Sequence, residues 1–152
     1  PTTALDVTIQ AQIFDLMERL KRENDTAIML ITHDMGVVCE LADDVAVMYM
    51  GSIVETGTAR EVLKTPAHPY TKALLRSIPV LGRGRSQDIR PIRGSTPDPY
   101  NRPKGCQFAP RCDYACDACQ ALEEMRNLPP EQVLEGTHKV RCICAKEVIR
   151  DV

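Results

Sequence analysis

The sequence predicts an α/β fold followed by a small cysteine-rich module, and three observations carry that expectation. Through residues 6–24 the apolar side chains Ile9, Ile13, Leu16, Met17 and Leu20 recur at three- and four-residue steps, the period of an amphipathic helix. Two continuous apolar runs follow, residues 26–31 and 44–50, of the kind found in parallel strands covered on both faces. Of seven cysteines, all but Cys39 fall in the last third of the chain: Cys106, Cys112, Cys116, Cys119, Cys142 and Cys144.

Taken in order, Asp6 is placed to cap the first helix, and residues 26–31 form the first strand. Thr32, His33 and Asp34 lead into a short helix over 35–41, and the second strand over 44–50 completes a β-α-β order. Gly51 and Ser52 make a tight turn into a third strand, 52–55, antiparallel to the second. Helices are expected over 58–63, with Thr58 as cap, and from Pro69 to about residue 77, since proline is tolerated at a first helical position. Two or three strands are too few for a doubly covered sheet, and the chain opens at Pro1 without methionine, so further strands are expected from upstream. Residues 79–105 shift to Pro, Gly and Arg without periodicity and read as a linker. That divides the chain into residues 1–78, the linker 79–105 and the cysteine-rich module 106–152, in which one helix is expected to begin at Pro129 or Pro130.

At 152 residues, 43% apolar and 26% charged, the chain can bury a core, and its net charge of −2 gives no global attraction to nucleic acid or anionic lipid. The apolar runs are far short of the roughly 20 residues that span a bilayer, and nothing near the start reads as a signal peptide. The expectation is a cytosolic chain unless something else carries it to a membrane. Locally, Arg83, Arg85, Arg90, Arg93, Arg102, Lys104 and Arg111 form a basic stretch that reads as a solvated linker face. Cys39, inside a helix, reads as a buried thiol. In a reducing compartment the six clustered cysteines ask for a metal before a disulfide.

His33 follows a buried-strand pattern at its carboxyl end, where open α/β sheets place ligand-contacting groups; alone it could equally be a histidine satisfied by a backbone carbonyl. The run Pro1-Thr2-Thr3-Ala4-Leu5-Asp6, then helix, strand and Ile31-Thr32-His33-Asp34, resembles the second half of the ATPase core of ABC transporters. The resemblance implies the C-terminal half of a P-loop ATPase fold. It implies that Ala4, Leu5 and Asp6 form the D-loop at a dimer interface and that His33 is the switch histidine, contacting the γ-phosphate of ATP and holding the attacking water. An imidazole suits that work, because phosphoryl transfer needs positioning and charge stabilisation more than covalent catalysis. Asp6 can cap its helix and make the dimer contact together. No G-x-x-x-x-G-K-[ST] loop occurs in these residues, so the isolated chain is expected neither to bind ATP tightly nor to hydrolyse it.

Residues 45–57 resemble the last strands of the same core, and His68-Pro69-Tyr70-Thr71-Lys72-Ala73-Leu74-Leu75 resembles a motif of the oligopeptide and dipeptide importer branch, which includes nickel relatives. His68 itself reads as the start and anchor of a helix. The spacing C-x5-C-x6-C from Cys106 through Cys112 to Cys119, with distant Cys142, resembles the C-terminal extension of those ATPases. Four thiolates can hold zinc or an iron–sulfur cluster; the long gaps and the resemblance both lean to 4Fe-4S, with Cys106, Cys112, Cys119 and Cys142 as ligands. Cys116 and Cys144 lie outside that pattern, and either can substitute. Gln107 stands where relatives carry proline.

The resemblance implies an energy-coupling ATP-binding subunit that uses ATP with Mg2+ and lies peripherally on the cytoplasmic face of the membrane. Its implied partners are a second like ATPase subunit, two transmembrane permease subunits and, indirectly, an extracytoplasmic solute-binding protein. The rival reading is a free-standing four-cysteine metal module in electron transfer or nucleic-acid binding, although the basic stretch has few aromatics to stack on bases, and no nucleic-acid partner is expected.

Overall fold

The structure, a computed structural model, describes residues 7–78, 91–124 and 128–151. The chain divides into two compact units, residues 1–42 and 43–152.

In the first unit, helix α1 spans Val7–Asn24 and ends where Asp25 takes a left-handed φ of 47°. Helix α2, Met35–Leu41, begins at Asp34, whose carboxylate accepts from Gly36 N at 2.8 Å. The expected strand over residues 26–31 is not formed; these residues are irregular, and Met29 and Ile31 are 87% and 89% exposed. A strand exists only through a hydrogen-bonded neighbour, and no strand of the described chain pairs with these residues. Along α1 Phe14 is buried, whereas Ile9, Leu16 and Leu20 of the apolar stripe are exposed. Cys39 is likewise exposed rather than buried, because nothing in the described chain covers its face of α2. The expected cap Asp6 lies outside the described residues.

The second unit is built on a four-stranded antiparallel sheet of order β1-β2-β4-β3: β1 Asp44–Tyr49, β2 Ser52–Thr58, β3 Gln132–Val133 and β4 Lys139–Val140. The antiparallel β1–β2 hairpin is as expected, with β2 running on to Thr58. Its turn sits one residue earlier than expected, on Met50 and Gly51 at φ 47° and 81°, the doubly left-handed backbone that matches strand twist. Burial along β1 alternates, with Val47 and Tyr49 inward and Ala46 and Met48 outward, so this strand is covered on one face rather than two.

A bulge breaks the alternation in β2. Val47 pairs with Glu55 and Met48 with Ile53, which leaves Val54 as the extra residue and allows two consecutive side chains, Val54 and Glu55, to be buried. Helix α3, Ala59–Lys64, follows directly through a capping box in which Thr58 Oγ1 accepts from Glu61 N and Glu61 Oε2 accepts from Thr58 N. Helix α4, Pro69–Arg76, starts as expected at His68, whose Nδ1 accepts from Tyr70 N at 3.1 Å.

The cysteine-rich segment adds β3 and β4 to the same sheet, with β4 pairing against β2. No helix starts at Pro129 or Pro130; that stretch leads into β3, since a proline suits a first helical turn but no apolar period follows it. Instead helix α5, Asp117–Glu124, and helix α6, Ala145–Arg150, carry the module. Two buried clusters form the core: Val47, Tyr49, Val54, Val62 and Phe108 in one; Ala67, Val140, Cys142, Cys144 and Ala145 in the other.

Candidate functional site

The cysteine module is positioned by a polar clamp whose members are remote in sequence. Glu55, 1% exposed, accepts through Oε1 from Ala67 N and from the ring Nε2 of His138, both at 2.7 Å, and through Oε2 from His68 N at 3.0 Å. This carboxylate fixes the entry to α4 and the start of β4 against β2, and so sets where the chain delivers Cys142 and Cys144. A buried carboxylate is tolerated only with its lone pairs so occupied. His68 is also buried, and desolvation pushes its imidazole down to about 4, so it is a neutral capping acceptor, in agreement with the anchoring role expected of it.

A second clamp closes the other side. Lys72, buried on α4, donates from Nζ to Val148 O of α6 at 2.8 Å and to Tyr114 Oη at 2.9 Å, and Tyr114 Oη donates to Asp151 at 2.8 Å. Burial lowers the Lys72 pKa and, together with Asp151, raises that of Tyr114 to about 12. The arginines described from the basic stretch are partly structural. Arg93 pairs with Asp113 through Nε at 2.9 Å, and Arg111 donates to Arg93 O, Thr96 and the Tyr49 hydroxyl. These bonds lay residues 91–102 along β1, where they wall an open groove of about 510 Å³ with Tyr49 and Tyr70.

Between the clamps the cysteines converge. Cys106, Cys112, Cys119, Cys142 and Cys144 line one cavity, walled by Phe108, Pro129 and Ile143, so the four expected ligands do face a common space. None of the cysteines is in a disulfide. Desolvation pushes the Cys112 and Cys142 thiols up to about 12 and raises Cys106, Cys119 and Cys144 as well. Thiols so held gain most from a cation that compensates their charge, and binding must displace their protons. The donor set therefore fits a thiolate-ligated metal or cluster. The tightest grouping among the described residues differs from the four expected: Cys116, Cys119 and Cys144 lie within 4.8 Å of one another. The thiol of Cys116 is the exception in protonation, lowered by hydrogen bonding to Cys144 and then to the backbone of Cys119.

In the first unit His33 is exposed on the loop before α2. Its neighbours brace that loop: Asp34 N donates to Thr32 Oγ1 at 3.0 Å while the Asp34 side chain caps α2. Ala4, Leu5 and Asp6 lie outside the described residues. Sequence reasoning missed Glu55, Lys72 and Tyr114 and gave His138 no role; the available signal was a lone acid inside a strand pattern, Val54-Glu55-Thr56, and a lone histidine ahead of Cys142. Among the described residues no helix is long and apolar enough to cross a membrane.

Residues 54–119, which hold most of β2, helices α3 and α4 and the first four module cysteines, match the family described as oligopeptide/dipeptide transporter, C-terminal region. Over 97% of its length the chain is 47% identical to a Brucella ovis protein whose name assigns it to ATP binding in peptide import. It is 48% identical over 97% of its length to the oligopeptide transport ATP-binding protein AppD of Bacillus subtilis. Against the dipeptide transport ATP-binding protein DppD of Haemophilus influenzae it is 46% identical over 93%. The chain spans 44%, 43% and 41% of the length of these relatives, respectively. A match at this level along nearly the whole chain, together with the residues 54–119 just described, means that the chain is a homologue of ATP-binding proteins of peptide and dipeptide transport and carries, over residues 54–119, the oligopeptide/dipeptide transporter C-terminal region.

Proposed function

We propose that this chain is the C-terminal part of the energy-coupling, ATP-hydrolysing subunit of an importer for oligopeptides or dipeptides. The observation that carries the reading is the 46–48% identity to peptide-transport ATP-binding proteins, which runs through the His33 segment as well as the cysteine module. In this reading the chain contributes to a shared ATPase site with Mg2+. Ala4, Leu5 and Asp6 supply the D-loop at the interface with a second ATPase subunit. His33 contacts the γ-phosphate and orients the attacking water, a role that its exposed, braced loop leaves open to it. The assembly drives two permease subunits from the cytoplasmic face of the membrane, with substrate delivered by an extracytoplasmic binding protein.

The cysteine module is assigned a structural or regulatory 4Fe-4S cluster held by Cys106, Cys112, Cys119 and Cys142, with zinc as the alternative occupant. What supports the set is its shared cavity and the long gaps between ligands. When bound, the cluster supplies a rigid cross-link between the loop of Cys106 to Cys119 and the end of β4. A free-standing metal module in electron transfer or nucleic-acid binding is the weaker reading, because the identity extends well beyond the cysteines and Arg93 and Arg111 are engaged within the fold.

The test is the His33→Ala variant of the complete ATP-binding subunit, assembled with its permeases. ATP hydrolysis should fall about a hundredfold or more, the order lost when one charge-stabilising donor is removed, while ATP binding stays within a few-fold. Unchanged turnover would remove His33 from the site. Iron and acid-labile sulfide, measured per chain in anaerobic preparations, should be present in the parent and lost in Cys106→Ser and Cys142→Ser.

A further inference from the structure

Cys116 and Cys144 are surplus to the four-cysteine pattern, yet the closest thiol grouping is built on them. Cys116 Sγ lies 3.1 Å from Cys144 Sγ and 3.7 Å from Cys119 Sγ, and the three sulfurs fall within 4.8 Å of one another. A tetrahedral ion with metal–sulfur bonds of about 2.3 Å holds its sulfurs about 3.8 Å apart. Shifts of about 1 Å or less would therefore set these three at the corners of one coordination tetrahedron, whereas a four-iron cluster holds its thiolates farther apart than a single ion does.

The local frame is that of a single-ion site. Two residues separate Cys116 from Cys119, the short spacing of such sites, and Cys119 N donates to Cys116 O at 2.9 Å, folding the pair onto one turn where α5 begins. Cys144 arrives from the other side as the residue preceding α6, against buried Ala145. Cys116 and Cys119 are only half-buried, so an ion has a way in.

We propose that Cys116, Cys119 and Cys144 form a second metal site, three thiolates for one soft cation of the zinc class, sharing only Cys119 with the four-cysteine set. On binding, three metal–sulfur bonds form and the thiol protons leave to solvent; a solvent molecule takes the fourth position. The shared Cys119 makes the two loadings competitors, so a zinc-loaded chain should accept a cluster poorly. The inference stands on the thiol geometry and does not depend on the importer reading.

The experiment uses the 152-residue chain, reduced and metal-free, titrated with zinc against a chromogenic chelator and with cobalt(II) to record thiolate-to-metal charge transfer. One tight equivalent is expected, weakened about a hundredfold or more in Cys116→Ser and in Cys144→Ser, and held within about threefold in the double variant Cys106→Ser/Cys112→Ser. Serine at position 116 is itself a good cap for α5, so that variant should keep its fold, as far-ultraviolet circular dichroism will show. No tight equivalent in the parent, unchanged affinity in Cys116→Ser, or loss in Cys106→Ser/Cys112→Ser would each overturn the site. Iron and sulfide measured on the same variants report separately on the cluster, which should survive Cys116→Ser and fail in Cys106→Ser.

Discussion

Glu55 carries three buried donors on one carboxylate, and removing it leaves all of them without an acceptor in a region where water cannot substitute. Each orphaned buried donor costs about 1–3 kcal/mol, so Glu55→Ala should destabilise the second unit by about 3 kcal/mol or more, read as a shift in urea midpoint. His138→Ala removes one of the three donors and should cost less; equal losses would mean that the ring contact dominates the clamp. His68 gives a pH signature of known sign. Its folded pKa of about 4 lies below the unfolded 6.5, so between those values the unfolded chain binds more protons and stability falls as pH falls. The loss across that window is about 3 kcal/mol, complete near pH 4. Asparagine at 68 keeps a capping oxygen but does not titrate, so His68→Asn should flatten the stability profile between pH 6.5 and 4. A profile as steep as the parent's would show that other groups set it.

At the scale of elements, β2 and the turn before β4 approach each other closely at Gly57. A Cβ on Gly57 would lie 3.2 Å from His138 Cα and 2.9 Å from the Glu61 carboxylate that caps α3. The carboxylate can swing away but the backbone cannot, so Gly57→Ala should part β2 from β4 and cost about 1–3 kcal/mol, with faster amide exchange at Arg141 N, which donates to Val54 O. What the sequence revealed divides along the same lines. Elements defined by their own residues were legible: the capped helices at Thr58 and His68 and the hairpin at Gly51 carry their start and stop signals within a few positions. Residues 26–31 were misread because a strand is a relation between segments, and apolar β-rich composition alone does not supply the partner. The helix expected at Pro129 rested on proline preference without a following apolar period, and α5 and α6 went unread as regular structure because cysteines dominate their entries. For the site, the cysteine spacing from Cys106 to Cys119 was visible along the chain. The Glu55–His138 contact joins residues 83 apart, and the convergence of Cys116 with Cys144 spans 28; neither is written in local pattern.

Across the second unit as a whole, the cysteine module and the helices before it form one mechanical object. β2 and β4 share a sheet through Glu55 and His138, while Lys72 ties α4 to α6 and to the Tyr114 loop between two cysteines. Metal held by thiolates from that loop and from the end of β4 should therefore stabilise more than its own ligands. An occupant that binds only the folded state adds about 2.7 kcal/mol at a hundredfold excess over its dissociation constant, which slows amides that open by unfolding of the unit about a hundredfold. Loading should accordingly protect β2 and α4 as well as β4 and α6, and hydrogen exchange on loaded and metal-free chains resolves these elements. Lys72→Met keeps the buried stem but removes the Nζ donor from Val148 O and Tyr114, so in that variant the protection of α4 should drop while that of β2, held through Glu55, persists. Protection confined to the cysteine loops in the parent would mean that the clamps position the ligands without transmitting their stability, and the module would then be a separable appendage on the sheet.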